Sequence, residues 1–153
     1  MGVLSGKKGI ILGVGNQRSI AWAVAEHFHK EGAELALTYL LDPKGRFEAN
    51  VKKLGQKVNA TMIKDCDVAS NDSICSLIKS LNNHWGELDF LIHSLAFAEQ
   101  KDLQREFSNT SRDGFTKAQE ISAFSLLPLV EGVVPMMKKK GGGSIISMSF
   151  IGS

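Results

Sequence analysis

Tyrosine occurs once in this 153-residue chain, at Tyr39, cysteine twice, at Cys66 and Cys75, and proline three times. Two cysteines build no disulfide framework and, without a Cys/His cluster beside them, no zinc site; they fit a reducing compartment. Neither sign of charge dominates: 18 basic against 16 acidic residues leave +2, which gives no basis for nucleic-acid binding. The one basic run, Lys138, Lys139 and Lys140, reads as a solvated helix end that favours the negative pole of the helix dipole. No apolar run approaches the ~20 residues of a membrane span. Residues 1–8 lack a signal-peptide core, and Gly6 stands where myristoylation wants Ser or Thr. The expectation is a cytoplasmic protein with no membrane partner. With 43% hydrophobic and 22% charged residues, the balance is that of an ordinary globular domain.

Five short apolar runs alternate with helical patterns. Residues 9–13 (Gly-Ile-Ile-Leu-Gly) predict a buried strand. Residues 19–31 predict a helix with Ile20, Val24 and Phe28 one turn apart on its inner face and Gly32 as its end. The second strand is placed at 34–39. Pro43 opens the next helix, with Phe47, Val51 and Leu54 inward and Gly55 as the stop. The third strand is placed at 57–63 and the fourth at 88–93; between them runs a helix capped by Asn71 or Asp72 and carrying Ile74, Leu77, Ile78 and Leu81. The polar stretch 99–112 is long for a connection and has room for a helical turn. A long helix then runs from about 113 to 140; Pro128 and Pro135 predict a kink in it or an early end. Gly141, Gly142 and Gly143 turn the chain into a fifth strand at 144–148.

Strand–helix alternation with continuous apolar strands implies a parallel sheet covered on both faces, and right-handed crossovers make it a doubly wound α/β fold of the Rossmann type. No repeat, low-complexity segment or linker divides the chain, so 1–153 reads as one dinucleotide-binding domain. The expectation is a sheet incomplete on its C-terminal side, which two further strand–helix units would finish. As it stands, the edge at 144–148 is open, and such edges recruit other chains.

The most informative segment is Gly13-Val14-Gly15-Asn16-Gln17-Arg18-Ser19-Ile20-Ala21, between the first strand and the first helix. A pyrophosphate needs close backbone approach and free N–H groups at a helix N-terminus. Gly13 and Gly15 suit the first, and Ser19 is an N-cap able to turn its hydroxyl and amide toward phosphate. Arg18 occupies the place of the third glycine in G-x-G-x-x-G, so the common fingerprint is absent.

The Gly-x5-Ser-Ile-Ala loop, preceded by Met-Gly-x-Leu-Ser-Gly-Lys, resembles the opening of enoyl-acyl-carrier-protein reductases, a branch of the short-chain dehydrogenase/reductases. Three further segments agree in order and spacing: residues 32–39, the turn Cys66-Asp67-Val68, and His93-Ser94-Leu95-Ala96-Phe97-Ala98. The resemblance implies cofactor contacts at Gly13, Ser19 and Ile20, at Leu40, at Asp67 and Val68 (adenine), at Ser94 and Leu95 (the nicotinamide-side ribose) and at Ile121, with Ser122 beside it. It implies substrate contacts at Ala98 and at Phe150, which falls on the first active-site aromatic. Leu40 departs from the Gln of many relatives; being neither acidic nor basic, it leans toward NADH over NADPH, although Lys44 and Arg46 stand close by. Ala96 replaces the family's usual Gly. His93 reads as a packed strand-end histidine, and Trp22 and Trp85 as packing residues.

The resemblance further implies hydride transfer from NADH to the β-carbon of a trans-2-enoyl thioester on acyl carrier protein, in a homotetramer when the enzyme is complete. Its catalytic Tyr-x6-Lys pair does not occur in these 153 residues, and a Phe at 150 has no proton to give. The chain is therefore expected to be an inactive N-terminal fragment. Two alternatives stay open: a carbonyl-reducing short-chain dehydrogenase, which normally has Gly where Ser19 stands, and a non-catalytic nucleotide-binding module.

Overall fold

The computed structural model describes residues 2–149. Five parallel strands form one sheet in the order β3-β2-β1-β4-β5. They are β1 Lys8–Leu12, β2 Glu34–Tyr39, β3 Met62–Asp65, β4 Phe90–His93 and β5 Ser144–Ser147. Alternation along β1 divides the core. Ile10 and Leu12 face one layer with Leu77, Leu81, Leu129 and Val133; Ile11 faces the other with Trp22, Leu35, Leu37 and Val51. Helices α1 (Ile20–Lys30) and α2 (Arg46–Lys57) cover the second layer, and α3 (Asn71–His84) the first. The doubly wound parallel fold is as expected from the alternation. Chain order reverses between β1 and β4, where the crossovers run off to opposite edges.

Several boundaries differ from expectation. Ile20 is 65% exposed, and α1 instead buries Ala21, Trp22 and Ala25, with Val24 and Phe28 packed at the margin. Helix α2 starts at Arg46, not at Pro43, because the Asp42 carboxylate accepts the Lys44 and Phe47 amides and holds the intervening turn. It runs through Gly55 to Lys57, two residues past the expected stop. Gly55 is a packing site: a Cβ there would stand 2.4 Å from the Ile63 side chain. The reversal falls at Asn59, with φ 47°, a left-handed conformation asparagine tolerates. As a consequence β3 begins at Met62, not at 57. Ser70, not Asn71 or Asp72, caps α3 by accepting the Ser73 amide.

The polar stretch holds two short turns, α4 (Gln100–Leu103) and a 3₁₀ turn (Phe107–Asn109). The Asp102 carboxylate accepts both the amide and the hydroxyl of Ser111, which in turn caps α5 (Arg112–Gln119). A π turn, Glu120–Phe124, joins α5 to α6 (Leu126–Lys139). The expected irregularity thus lies ahead of Pro128, whose ring crowds the carbonyl four residues back, at Phe124; the helix continues past Pro135. By length and composition alone the run Arg112–Lys139 could cross a membrane, its most apolar 18-residue stretch having mean hydropathy 1.4; four of its apolar side chains, Leu129, Val133, Met136 and Met137, lie in the core. β5 is the outer strand, and Ile145 and Ile146 are exposed on it.

At the end of the sheet opposite the loops, Asp89 ties three strands together. Its carboxylate accepts from Lys7 Nζ (3.0 Å), the Lys8 amide (2.9 Å) and Lys140 Nζ (2.7 Å), and its carbonyl accepts from the Ser144 amide. Lys140 is therefore paired rather than merely solvated, and Lys139 donates to the Gly86 carbonyl. Burial alone would raise the Asp89 carboxyl, but the Lys140, Lys8 and Lys7 donors outweigh it and hold it below its usual range. A depressed folded value stabilises above the unfolded value of about 3.9 and fades as pH falls through the folded one. Asp89→Asn should thus cost about 2 kcal/mol near neutrality in urea denaturation. Its deficit against the parent should shrink below about pH 4.

Candidate functional site

A cleft of about 400 Å³ opens at the carboxyl ends of four strands. Its wall comprises the turn after β1 (Gly13 to Gly15), the end of β2 (Thr38, Tyr39, Leu40), the turn after β3 (Cys66, Asp67, Val68, Ala69) and the segment after β4 (Leu95, Ala96, Phe97). Ile121 from the π turn and Lys117 from α5 complete it, with Phe47 of α2. Open parallel sheets place ligands in this position.

Six of the sequence-predicted residues line the cleft: Gly13, Leu40, Asp67, Val68, Leu95 and Ile121. Gly13 has φ +98°, and a Cβ on it would stand 1.9 Å from the Ser94 carbonyl oxygen. Its missing side chain thus serves the approach of β1 to the chain leaving β4, before any ligand is considered. The Ser94 backbone lies under the loop, its amide donating to the Leu12 carbonyl. Gly15 is the glycine with free space, since an added Cβ there meets nothing within 4 Å.

Ser19 caps α1, accepting the Trp22 amide at 3.3 Å. Its own amide and hydroxyl both donate to the Asn16 carbonyl, at 3.1 and 2.7 Å, so in this structure they close the loop instead of facing outward. The next two amides, of Ile20 and Ala21, have no protein acceptor among the described residues. They are the free donors of a helix N-terminus. Asp67 Oδ1 accepts the Ala69 amide, and its second oxygen makes no protein hydrogen bond among the described residues. Ala98 is exposed and outside the lining of the cleft. Phe150 lies outside the described residues.

Long-range contacts add residues that local patterns do not reveal. Asn50, on α2, donates its side-chain N–H to the Gly15 carbonyl and fixes the loop from the far side. Phe47 turns toward the cleft, not the core, because the Asp42 turn shifts the start of α2. Lys117 lies 4.9 Å over the Phe97 ring and pairs with Glu99 at 2.9 Å. Ser122 accepts the Phe97 amide at 3.0 Å, which joins the π turn to the segment after β4. Burial pushes the Cys66 thiol up to about 11, so it is no thiolate at neutral pH. Burial first, then the Glu48 and Asp65 carboxylates, raises the Tyr39 phenol.

The strand order and the glycine turn at the switch point define a Rossmann-type short-chain dehydrogenase fold. A family model described as enoyl-(acyl carrier protein) reductase matches residues 13–153. The chain belongs to that family. It is 44% identical over 149 residues to the enoyl-[acyl-carrier-protein] reductase [NADH] FabI of Nostoc sp., covering 97% of this chain and 57% of the relative. The enoyl reductase of Anaplasma phagocytophilum in complex with NAD superposes with TM-score 0.90 at 34% identity, over 97% of this chain and 55% of that one. The Bacillus cereus enoyl-acyl carrier protein reductase with NADP+ and indole naphthyridinone gives 0.89 at 36% identity, over 99% and 58%. The chain thus spans little more than half the length of these relatives.

The two loop glycines should respond differently to a methyl group. Gly13→Ala combines a left-handed backbone, which costs ~1–2 kcal/mol, with contact against backbone, and should lower the urea midpoint clearly. Gly15→Ala should leave it within about 0.5 kcal/mol. Ser19→Ala should lose about 1 kcal/mol with the cap.

Proposed function

We propose that residues 1–153 form a dinucleotide-binding unit for NADH, in a cytoplasmic protein that reduces a trans-2-enoyl thioester carried on acyl carrier protein and assembles as a homotetramer. The observation that carries this reading is the convergence on one cleft of the four segments in which the sequence resembles the family. The residues fit a dinucleotide. Gly15 leaves a side-chain-free approach, the Ile20 and Ala21 amides offer a pyrophosphate two donors, and one Asp67 oxygen stays open to an adenine amino group. Ser19 would add its hydroxyl on release from Asn16. Leu95, Ile121 and Ser122 would bound the nicotinamide half, with Ser94 beneath it and Ala98 and Phe150 on the acyl side. NADH is favoured over NADPH because β2 ends in neutral Leu40 and because the Arg46 guanidinium is drawn to within 3.9 Å of the Asp42 carboxylate.

When bound, the nicotinamide supplies the hydride for the thioester β-carbon. The chain's share is to hold and orient it and to shield one ring face. Reduction also requires a donor for the developing enolate oxygen, and the Tyr-x6-Lys pair that the family resemblance implies for it does not occur in these 153 residues. Tyr39 is the only tyrosine, belongs to β2, and no lysine follows it at the family's spacing. A phenylalanine at position 150 has no proton to donate.

Two measurements test the proposal. Titration with NADH, followed by its fluorescence, should saturate, and Gly15→Val should weaken binding without changing the urea midpoint. NADH oxidation in the presence of a crotonyl thioester should remain at background, since loss of a positioned acid costs about 10²-fold or more. Turnover by this chain would show that another residue supplies the acid. Failure to bind NADH would remove the cofactor assignment.

A further inference from the structure

At the end of β4 the His93 imidazole is enclosed between the π turn and β5, and both of its nitrogens have partners. Nε2 lies 2.8 Å from Ser125 Oγ and Nδ1 3.3 Å from Ser147 Oγ. Strand register sets the second contact, because His93 and Ser147 are direct neighbours in the β4–β5 pairing. His93 is 1% exposed and Ser125 is fully buried.

The tautomer follows from counting protons. Ser125 Oγ also lies 2.7 Å from the Ile121 carbonyl oxygen, which can only accept. The single Ser125 hydroxyl proton is therefore given to Ile121, and Nε2 must be the donor to Ser125. A neutral imidazole protonated at Nε2 has a bare Nδ1, which accepts the Ser147 hydroxyl. Burial keeps the ring neutral by holding its value below the ordinary histidine range. Donation thus runs in one direction, from Ser147 to His93 to Ser125 to the carbonyl of Ile121.

This relay ends inside the π turn. An α-helix would give the Ser125 amide to Ile121, but here that amide goes to the Glu120 carbonyl at 2.9 Å, and the Ser125 hydroxyl takes Ile121 in its place. The same turn presents Ile121 to the cleft and Ser122 to the Phe97 backbone. We propose that His93, fixed as its Nε2–H tautomer, is a positioning residue that locks the π turn beneath the nicotinamide half of the cleft and ties that turn to β5. It would touch neither cofactor nor substrate. The functional half of the statement rests on the NADH assignment above; the tautomer and the lock do not.

The first test needs no variant and no ligand. Two-bond ¹H–¹⁵N spectra of the labelled chain at neutral pH should show His93 with a protonated Nε2 and a bare Nδ1. A protonated Nδ1, a charged ring or fast exchange between tautomers would overturn the proposal. The second test separates the two hydrogen bonds. In His93→Gln the amide nitrogen reaches the Nε2 position and keeps the donor to Ser125, whereas in His93→Asn the side chain reaches only the Ser147 side. NADH affinity should stay within about threefold of the parent in the first and fall about tenfold in the second, one hydrogen bond's worth. Equal losses in the two variants would reduce His93 to a packing residue and contradict the proposal. If His93→Asn does not fold, Ser125→Ala in the same spectra should shift the His93 nitrogens and the Phe97 amide together, and an unmoved Phe97 amide would count against the lock. If the parent itself does not bind NADH, the cofactor assignment fails, and the spectra alone decide the relay.

Discussion

The close approach of Gly13 to the Ser94 carbonyl is the constraint on which the rest of the site depends. β1 and β4 are paired up to Leu12 and His93, and the Ser94 amide still reaches the Leu12 carbonyl. Beyond that pair the two chains part, one into α1 and the other toward α4. Only a residue without Cβ, and able to hold φ near +98°, can stand where they separate. That contact sets the loop carrying Ile20 and Ala21 beside the segment carrying Leu95 and Phe97. The cleft is the gap left as the two chains diverge, and the turn after β3 closes its far end.

The second support comes from residues with no cleft surface of their own. Asn50 holds the loop from α2, Asp42 builds the turn that starts α2, and His93 and Ser125 hold the π turn from below. Asn50 and His93 each reach an element distant in sequence, whereas Asp42 acts within its own turn. A site built this way gains precision from its supports. It also couples loop order to the packing of both faces of the sheet, since α2 belongs to one layer and α6 to the other.

Much of this was legible in the sequence, and the exceptions have physical causes. Apolar runs with intervening 3.6-residue periods gave the sheet, because strands buried on both faces must be apolar throughout. Ser19 could be read as a cap since capping is local chemistry. Ile20 could not be placed correctly: at the first position of a helix, periodicity alone does not separate the inner face from an exposed edge. Gly55 reads as a helix stop, but its lack of a side chain serves close contact with Ile63 of β3, a tertiary neighbour that local patterns do not specify. The role of Asn50 is invisible for the same reason, its partner Gly15 being 35 residues away. Pro128 and Pro135 predict a kink or an early end of the long helix; the irregularity that forms is the π turn Glu120–Phe124, with the Ser125 amide given to the Glu120 carbonyl.

The central claim is that a dinucleotide lies along this cleft with its phosphates at the start of α1. Amide chemical-shift mapping of the labelled chain during NADH titration tests it most directly. The account predicts saturable shifts at Gly15, Ile20 and Ala21 together with Asp67 and Val68, and none in the groove between α3 and α6 that Ile78, Asn82, Gly132 and Pro135 line. Saturation confined to that groove, or no shift at Ile20 and Ala21, would contradict it.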